Sequence, residues 1–365
     1  MTSKATAEPK GGITTGCCAA LAAKAAAIAY FMDSIPKTVE VPLPDGSRLA
    51  WPIASVTSTD DGVEASVIKD AGDDPDVTHG ARIRVFITPN KGTEIVFRAG
   101  SGVGTVTLPG LALAVGEAAI NPVPRAMITA AVREVTAHGI SVTVAVDGGQ
   151  QLAEKTFNPK LGIRGGISII GTSGRVRPFS APALQESLKC ALDICIASKI
   201  SAPVFVPGNM GRNAAQREFN LGAQQIVEVS NEWGYMLKQA QGQPFTTVLM
   251  MGHPGKLAKL AMQQWNTHSA HSNSAVPFVA QLAKHLTQRC LTETTTVEAL
   301  FMQQLTSAER PQVANQLAVE IQQMTAQNFP ATWYPSVVLI NLKGEIIGSA
   351  GDLQSWRRIP PEDKP

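Results

Sequence analysis

The chain has 365 residues, enough for two domains with a sizeable core each. Only 16% of them are charged, the formal net charge is +2, and lysines and arginines are spread without a block, which argues against a nucleic-acid partner. Aromatic residues, at 5%, are too few for a base-stacking platform.

Residues 1–10 read as a disordered leader. Gly11-Gly12-Ile13-Thr14-Thr15-Gly16 then opens an alanine-rich helix over Cys17–Met32, with Thr14 or Thr15 as N-cap. Lys24 interrupts this apolar run, which is too short and too weakly hydrophobic for a signal peptide. No stretch is expected to reach the length of a membrane span, so a cytoplasmic protein that meets no membrane is expected. Cys17, Cys18, Cys190, Cys195 and Cys290 show no paired spacing and read as free thiols in a reducing compartment.

Short strands follow at Thr38–Pro42, Arg48–Trp51, Ser55–Asp60 and Val63–Lys69, with Asp45-Gly46 as a hairpin signal. Arg82–Thr88 and Thr93–Phe97 read as a further hairpin around Asn90-Lys91-Gly92. Val123–Val135 reads as a helix and Ser141–Val146 as a strand. The pattern predicts an α+β domain over residues 1–160, with an antiparallel sheet and helices on one face.

From residue 161 the rhythm changes. Strands at 167–170, 203–206, 225–229 and 246–251 alternate with helices at 182–198, 211–218, 232–240 and 255–265. Repeated βα units predict a Rossmann-like α/β domain with a mainly parallel sheet over 161–365. Residues 277–328 read as a helical C-terminal extension, Ser336–Asn341 and Glu345–Ser349 as a strand pair, and the Pro-rich tail as frayed. The four βα turns are Gly171-Thr172-Ser173-Gly174, Gly208-Asn209, Ser230-Asn231 and Gly252-His253-Pro254-Gly255-Lys256. In an open parallel sheet such turns share the carboxyl edge, where ligands bind.

Lys69-Asp70-Ala71-Gly72-Asp73-Asp74-Pro75-Asp76-Val77-Thr78-His79-Gly80 packs four carboxylates and a histidine into one loop. Three functional readings fit this composition: a metal loop, a general base, or a clamp for polar groups of a ligand. A solvated acidic turn fits it as well. The EF-hand register is absent. Gly100-Ser101-Gly102-Val103-Gly104 lacks the strand-before, helix-after context of a dinucleotide fingerprint and reads as a tight turn. Arg125, placed beside Asn121 by two prolines, suits a carboxylate, though a surface arginine at a helix start is equally common. His253, His268 and His271 lack zinc-like spacing, so no protein-bound metal is expected. No GxSxG or HExxH element occurs.

Taken together, GITTG-x-CAA-x-AAKAA, LPDG, KDAGDDPDVTHG, GVGTVTLPGL, VGEAAINPVPR, TFNPKLGIRGGISIIGTSG, GHPGKLAKLA and THS resemble the cobalt-precorrin-5B C1-methyltransferases, the CbiD family. The likeness runs in order from Gly12 to Ser269. It implies methyl transfer from S-adenosylmethionine to ring carbon C1 of a cobalt-corrinoid small molecule in anaerobic cobalamin synthesis, yielding cobalt-precorrin-6A. Cobalt arrives within that substrate. The sequence departs from the pattern at Cys17, Ser101, Lys160 and Ala270–Asn273.

On this resemblance, Thr14, Thr15, Lys69, Asn121, Arg125, Asn158, Lys160 and Arg164 are candidates for substrate binding. The methyl donor is expected along Gly171, Thr172, Ser173, Gly174, Asn209, Ser230, Asn231, Gly252, His253, Gly255 and Lys256. Asp73, Asp74 and His79 are candidates for proton handling, because the electron-rich ring is itself the nucleophile. Two other readings stand beside this one. An NAD(P)-dependent oxidoreductase would need the GxGxxG fingerprint that is missing here, and a non-catalytic corrinoid carrier would bind substrate without the donor.

Overall fold

A computed structural model describes residues 10–176 and 181–356. The leader up to residue 9 and the tail from residue 357 lie outside the described residues. The fold is mixed α/β and divides into two units, Met1–Ala181 and Pro182–Pro365.

The first unit is built around the helix Thr15–Met32. Thr14 caps it by accepting the Cys17 N–H at 3.1 Å, so the first of the two expected caps is the one used. Alanines at 19, 20, 22, 23, 25, 26 and 27 are fully buried, and their small size lets the helix approach its neighbours closely. It packs on the helix Pro122–Arg133 and on the strands Gly62–Ile68 and Arg82–Pro89. Those strands alternate buried and outward residues, with Val63, Ala65, Val67, Ile83, Val85 and Ile87 in the core. By length and hydropathy this helix would suffice to cross a membrane, contrary to the expectation that no stretch would. Its burial within the unit makes it a core helix instead. Lys24, its one charge, donates to the Glu40 carbonyl at 2.7 Å and pairs with Glu134. Arg48 also grips Glu134, at 2.8 and 2.9 Å, and hydrogen bonds first from Arg48 and then from Lys24 hold that carboxyl down at about 2.

The main sheet of this unit runs Ser55–Thr59, Gly62–Ile68, Arg82–Pro89, Ile140–Val146, Ile95–Ala99. The expected hairpin of Arg82–Thr88 with Thr93–Phe97 is therefore not formed. Ile140–Val146 lies between the two, antiparallel to the first and parallel to the second. Gly139 fixes that insertion, donating to the Gly92 carbonyl at 2.9 Å and accepting from the Asn90 N–H at 3.0 Å. The sheet is mixed rather than purely antiparallel. The hairpin Thr38–Pro42 with Arg48–Pro52 forms as expected.

Residues 161–176, assigned by the sequence to the second domain, hydrogen-bond within the first unit. Gly166–Ile167 runs parallel to Gly102–Val103, and Ile169 bridges Ile120. A Cβ on Gly166 would stand 2.1 Å from the Gly102 carbonyl oxygen, so only glycine allows the two backbones to meet. The predicted strand 167–170 is thus not the first strand of the parallel sheet.

The second unit holds a sheet in the order Ile226–Glu228, Val204–Val206, Thr247–Gly252, Tyr334–Ile340, Ile346–Ala350. The first four strands are mutually parallel and the last is antiparallel. Tyr334–Ile340 does pair with its sequence neighbour, and it also joins Thr247–Gly252. The helix Glu309–Asn328 packs on the last two strands and against the helix Pro254–Ala261. Trp233, Met236, Leu257, Leu317, Ile321 and Leu339 fill this core.

Candidate functional site

The polar residues singled out by sequence gather into a cluster in each unit. In the first, the acidic loop is pinned to the entry of the alanine helix. The Ile13 N–H donates to the Asp70 carbonyl at 2.8 Å, and a Cβ on Gly12 would lie 2.2 Å from the Ala71 carbonyl carbon. Lys69, whose side chain is 1% exposed, donates to Asp76 Oδ2 at 2.6 Å. Asp76 Oδ1 accepts the Thr78 N–H and hydroxyl at 2.8 and 2.6 Å. Burial pushes the Asp76 carboxyl up, but the Lys69 ammonium and the Thr78 donors outweigh it and hold the carboxyl below its usual value. Asp70 Oδ2 pairs with Lys10 at 2.8 Å and its Oδ1 accepts the Gly72 N–H; the Lys10 hydrogen bond, then the Gly72 one, lower its pKa.

Asp73 Oδ2 accepts the Lys10 backbone N–H at 2.6 Å, while its Oδ1 has no partner among the described residues. Asp74 lies next to it, its N–H donating to the Ala71 carbonyl at 3.3 Å. The exposed ring of His79 accepts the Ala71 N–H on Nδ1 at 3.1 Å, which leaves the proton on Nε2. Among the described residues no group of three His, Cys, Asp or Glu side chains is placed to hold a metal ion.

The remaining candidates of this unit differ in how far they are already committed. Thr14 is the helix cap, and the Thr15 hydroxyl both donates to and accepts from the Ile170 backbone, at 3.2 and 2.9 Å. The turn Gly171-Thr172-Ser173-Gly174 closes over the same helix start, where a Cβ on Gly171 would meet Thr14 Oγ1 at 2.3 Å. Asn158 is buried and uses both ends of its amide, donating to the Gly166 carbonyl at 3.0 Å and accepting from Ser168 at 3.1 Å. Arg125 donates to the Ile120 and Ala118 carbonyls and to Glu117 at 2.8, 3.2 and 3.0 Å, with Phe97 beneath it at 5.4 Å. Its guanidinium thus braces residues 117–120. Asn121 begins the helix Pro122–Arg133 without a side-chain cap. Lys160 lies 5.7 Å from the Phe157 ring centroid. Arg164 pairs with Thr105 through the backbone and is exposed.

In the second unit, Asn209, Ser230, Asn231, Gly252, His253, Gly255 and Lys256 lie at the carboxyl ends of three adjacent parallel strands. Gly171–Gly174, expected with them, belongs to the other unit. Ser230 adopts a left-handed backbone, with φ +53°. His253 caps the helix Pro254–Ala261, accepting the Gly255 N–H on Nδ1 at 3.0 Å and meeting Glu298 through Nε2 at 2.9 Å. Asn231 Oδ1 accepts both the Lys256 ammonium at 3.0 Å and the Thr267 hydroxyl at 3.1 Å. Burial, and then the neighbouring Lys259, push the Lys256 ammonium below its usual value. Lys259 is itself buried and donates to the Thr267 carbonyl at 3.1 Å and to the Ser272 hydroxyl at 2.8 Å.

Sequence reasoning missed Lys259 and Glu298. Lys259 carried a readable signal, a lysine inside the apolar run Leu257-Ala258-Lys259-Leu260-Ala261. Glu298 carried none, since only folding brings it to His253.

A family model described as CbiD matches residues 2–178. A protein of Syntrophotalea carbinolica named cobalt-precorrin-5B C(1)-methyltransferase is 47% identical over 95% of this chain and 99% of its own length. A Thermoanaerobacter protein of the same name is 39% identical, over 94% of this chain and 96% of its own. A crystal structure of the cobalamin biosynthesis protein CbiD from Archaeoglobus fulgidus matches at 28% identity and a TM-score of 0.37, over 66% of this chain and 76% of that one.

Proposed function

The chain belongs to the CbiD family, and we propose that it is a cobalt-precorrin-5B C1-methyltransferase of cobalamin biosynthesis. The observation that carries this is the 47% identity to a protein of that name along almost the whole of both chains. The methyl donor in this reading is S-adenosylmethionine, the substrate is a cobalt-corrinoid, and the setting is the cytoplasm. We further read the second unit as Rossmann-like, a reading supported by its four parallel strands and by the polar turns at their carboxyl ends.

The residues at that edge fit a donor of this kind. A Cβ on Gly208 would meet nothing within 4 Å among the described residues, which leaves room at the turn that leads into Asn209. Once bound, S-adenosylmethionine supplies an electrophilic methyl group on a sulfonium. The chain's part is then mainly to align that group with C1. Lys160 and Arg164 are our candidates for the corrinoid's peripheral carboxylates, with Asn121 as a neutral donor. Thr14, Thr15, Asn158, Lys69 and Arg125 act behind them, shaping the loops.

Asp73 is our candidate proton acceptor, because Oδ2 on the Lys10 N–H orients the carboxylate while Oδ1 has no partner among the described residues. The Nε2–H of His79, a ring held by the Ala71 N–H of the same loop, is our candidate donor. Incubation of the protein with S-adenosylmethionine and cobalt-precorrin-5B, followed by mass spectrometry, tests the reading. A product carrying one added methyl group, absent without protein, is expected. Bound but unmethylated corrinoid would overturn it.

A further inference from the structure

The Lys256–Lys259 pair stands out in the second unit because among the described residues it has no counterion. The two lysines share one face of the helix Pro254–Ala261, three residues apart. Their hydrogen bonds end on neutral oxygens: Asn231 Oδ1 for Lys256, the Thr267 carbonyl and the Ser272 hydroxyl for Lys259. No carboxylate among the described residues lies within 4.0 Å of either ammonium. Nearby acids are engaged elsewhere. Glu298 meets His253, and Glu232 accepts from Gln185 and Asn266 at 2.7 and 2.8 Å. Lys259 is only 8% exposed, and a buried ammonium facing a second cation is unfavourable until an anion joins them.

We infer that Lys256 and Lys259 form a carboxylate-binding site, with Lys256 making the contact and Lys259 reinforcing the positive charge behind it. Lys256 is suited to the contact because it is half-buried and its Asn231 partner is neutral. Thr267, 2% exposed, links the pair, its hydroxyl donating to Asn231 and its carbonyl accepting from Lys259. The inference rests on the methyl-transfer reading, which offers two sources of carboxylate. One is the amino-acid end of the methyl donor, and the other is a side chain on the rim of the corrinoid.

Titration calorimetry on the full chain distinguishes them, using S-adenosylhomocysteine, 5′-methylthioadenosine, which lacks the amino-acid end, and cobalt-precorrin-5B. Lys256→Gln is expected to weaken S-adenosylhomocysteine about tenfold and to leave methylthioadenosine unchanged, as loss of one charge-assisted hydrogen bond requires. Lys256→Arg, which keeps the charge, is expected to bind within about threefold of wild type. Weakening of the corrinoid alone would assign the site to its rim carboxylate. Unchanged affinity for both ligands would overturn the site while leaving the methyl-transfer reading in place. Wild-type protein that binds neither would overturn that reading, and this inference with it. Should Lys256→Gln fail to fold, the salt dependence of wild-type binding decides: affinity for both ligands that does not fall as salt rises overturns the site.

Discussion

The acidic loop of the first unit, pinned to the entry of a helix, and the lysine pair of the second, carried on one face of a helix, treat their charges in opposite ways. In the loop, Asp76 answers Lys69, Asp70 answers Lys10, and Asp73 takes the Lys10 N–H. In the pair, two ammonium groups rest on amide, carbonyl and hydroxyl oxygens alone. A charge matched from within holds the fold together. One left unmatched under cover is a place for something to bind. The run of four aspartates, which looked the more functional in the sequence, is the more architectural of the two.

The largest effect is expected where the loop's pairing is broken. Lys69→Met leaves Asp76 without its cation and should cost about 3 kcal/mol, at the lower end for a broken buried pair because Asp76 keeps some solvent contact. The denaturation midpoint reports it, and a loss under about 1 kcal/mol would break the comparison. The pH dependence has a definite sign. The folded pKa of Asp76 lies below its ordinary 3.8, so its contribution is present above that value and is lost as pH falls through the folded pKa. Wild type should lose this part of its stability below about pH 4, and Lys69→Met should show less of that decline.

Asp73→Asn sharpens the contrast within the loop, since asparagine can still accept the Lys10 N–H. Turnover should fall about a hundredfold while the melting midpoint holds, and unchanged turnover would return Asp73 to architecture. Gly12→Ala sets a methyl against the Ala71 backbone and should destabilise by about 2 kcal/mol, read by urea unfolding. The smallest effect is expected on the other side. Lys259→Met removes an unmatched buried charge and should shift the midpoint by less than about 1 kcal/mol in either direction. A loss comparable to that of Lys69→Met would show that the second lysine is as structural as the first.

Much of the fold was legible wherever one local rule decided it. Thr14 and the alanine run announced the helix, Asp45-Gly46 the hairpin, and the βα rhythm the strands Val204–Val206, Ile226–Glu228 and Thr247–Gly252. What escaped was pairing at a distance. Nothing in Arg82–Pro89 or Ile95–Ala99 says that Ile140–Val146 will come between them, and nothing in Gly166–Ile167 names Gly102–Val103 as its partner. The candidate residues were legible as types, through their short polar side chains and unusual loop charges. Their commitments were not: that Arg125 would brace Glu117, or that Asn158 would use both ends of its amide, depends on contacts made only in the folded chain.

The helix Thr15–Met32 also bears on how the chain is made. It leaves the ribosome before the strands Gly62–Ile68 and Arg82–Pro89 that cover it, a wait of several seconds at about 5–20 residues per second. Through that interval the nascent chain carries a segment apolar enough to be mistaken for a membrane anchor, with Lys24 near its middle as the one charge opposing insertion. In the folded chain that same charge is taken up by the Glu40 carbonyl and Glu134.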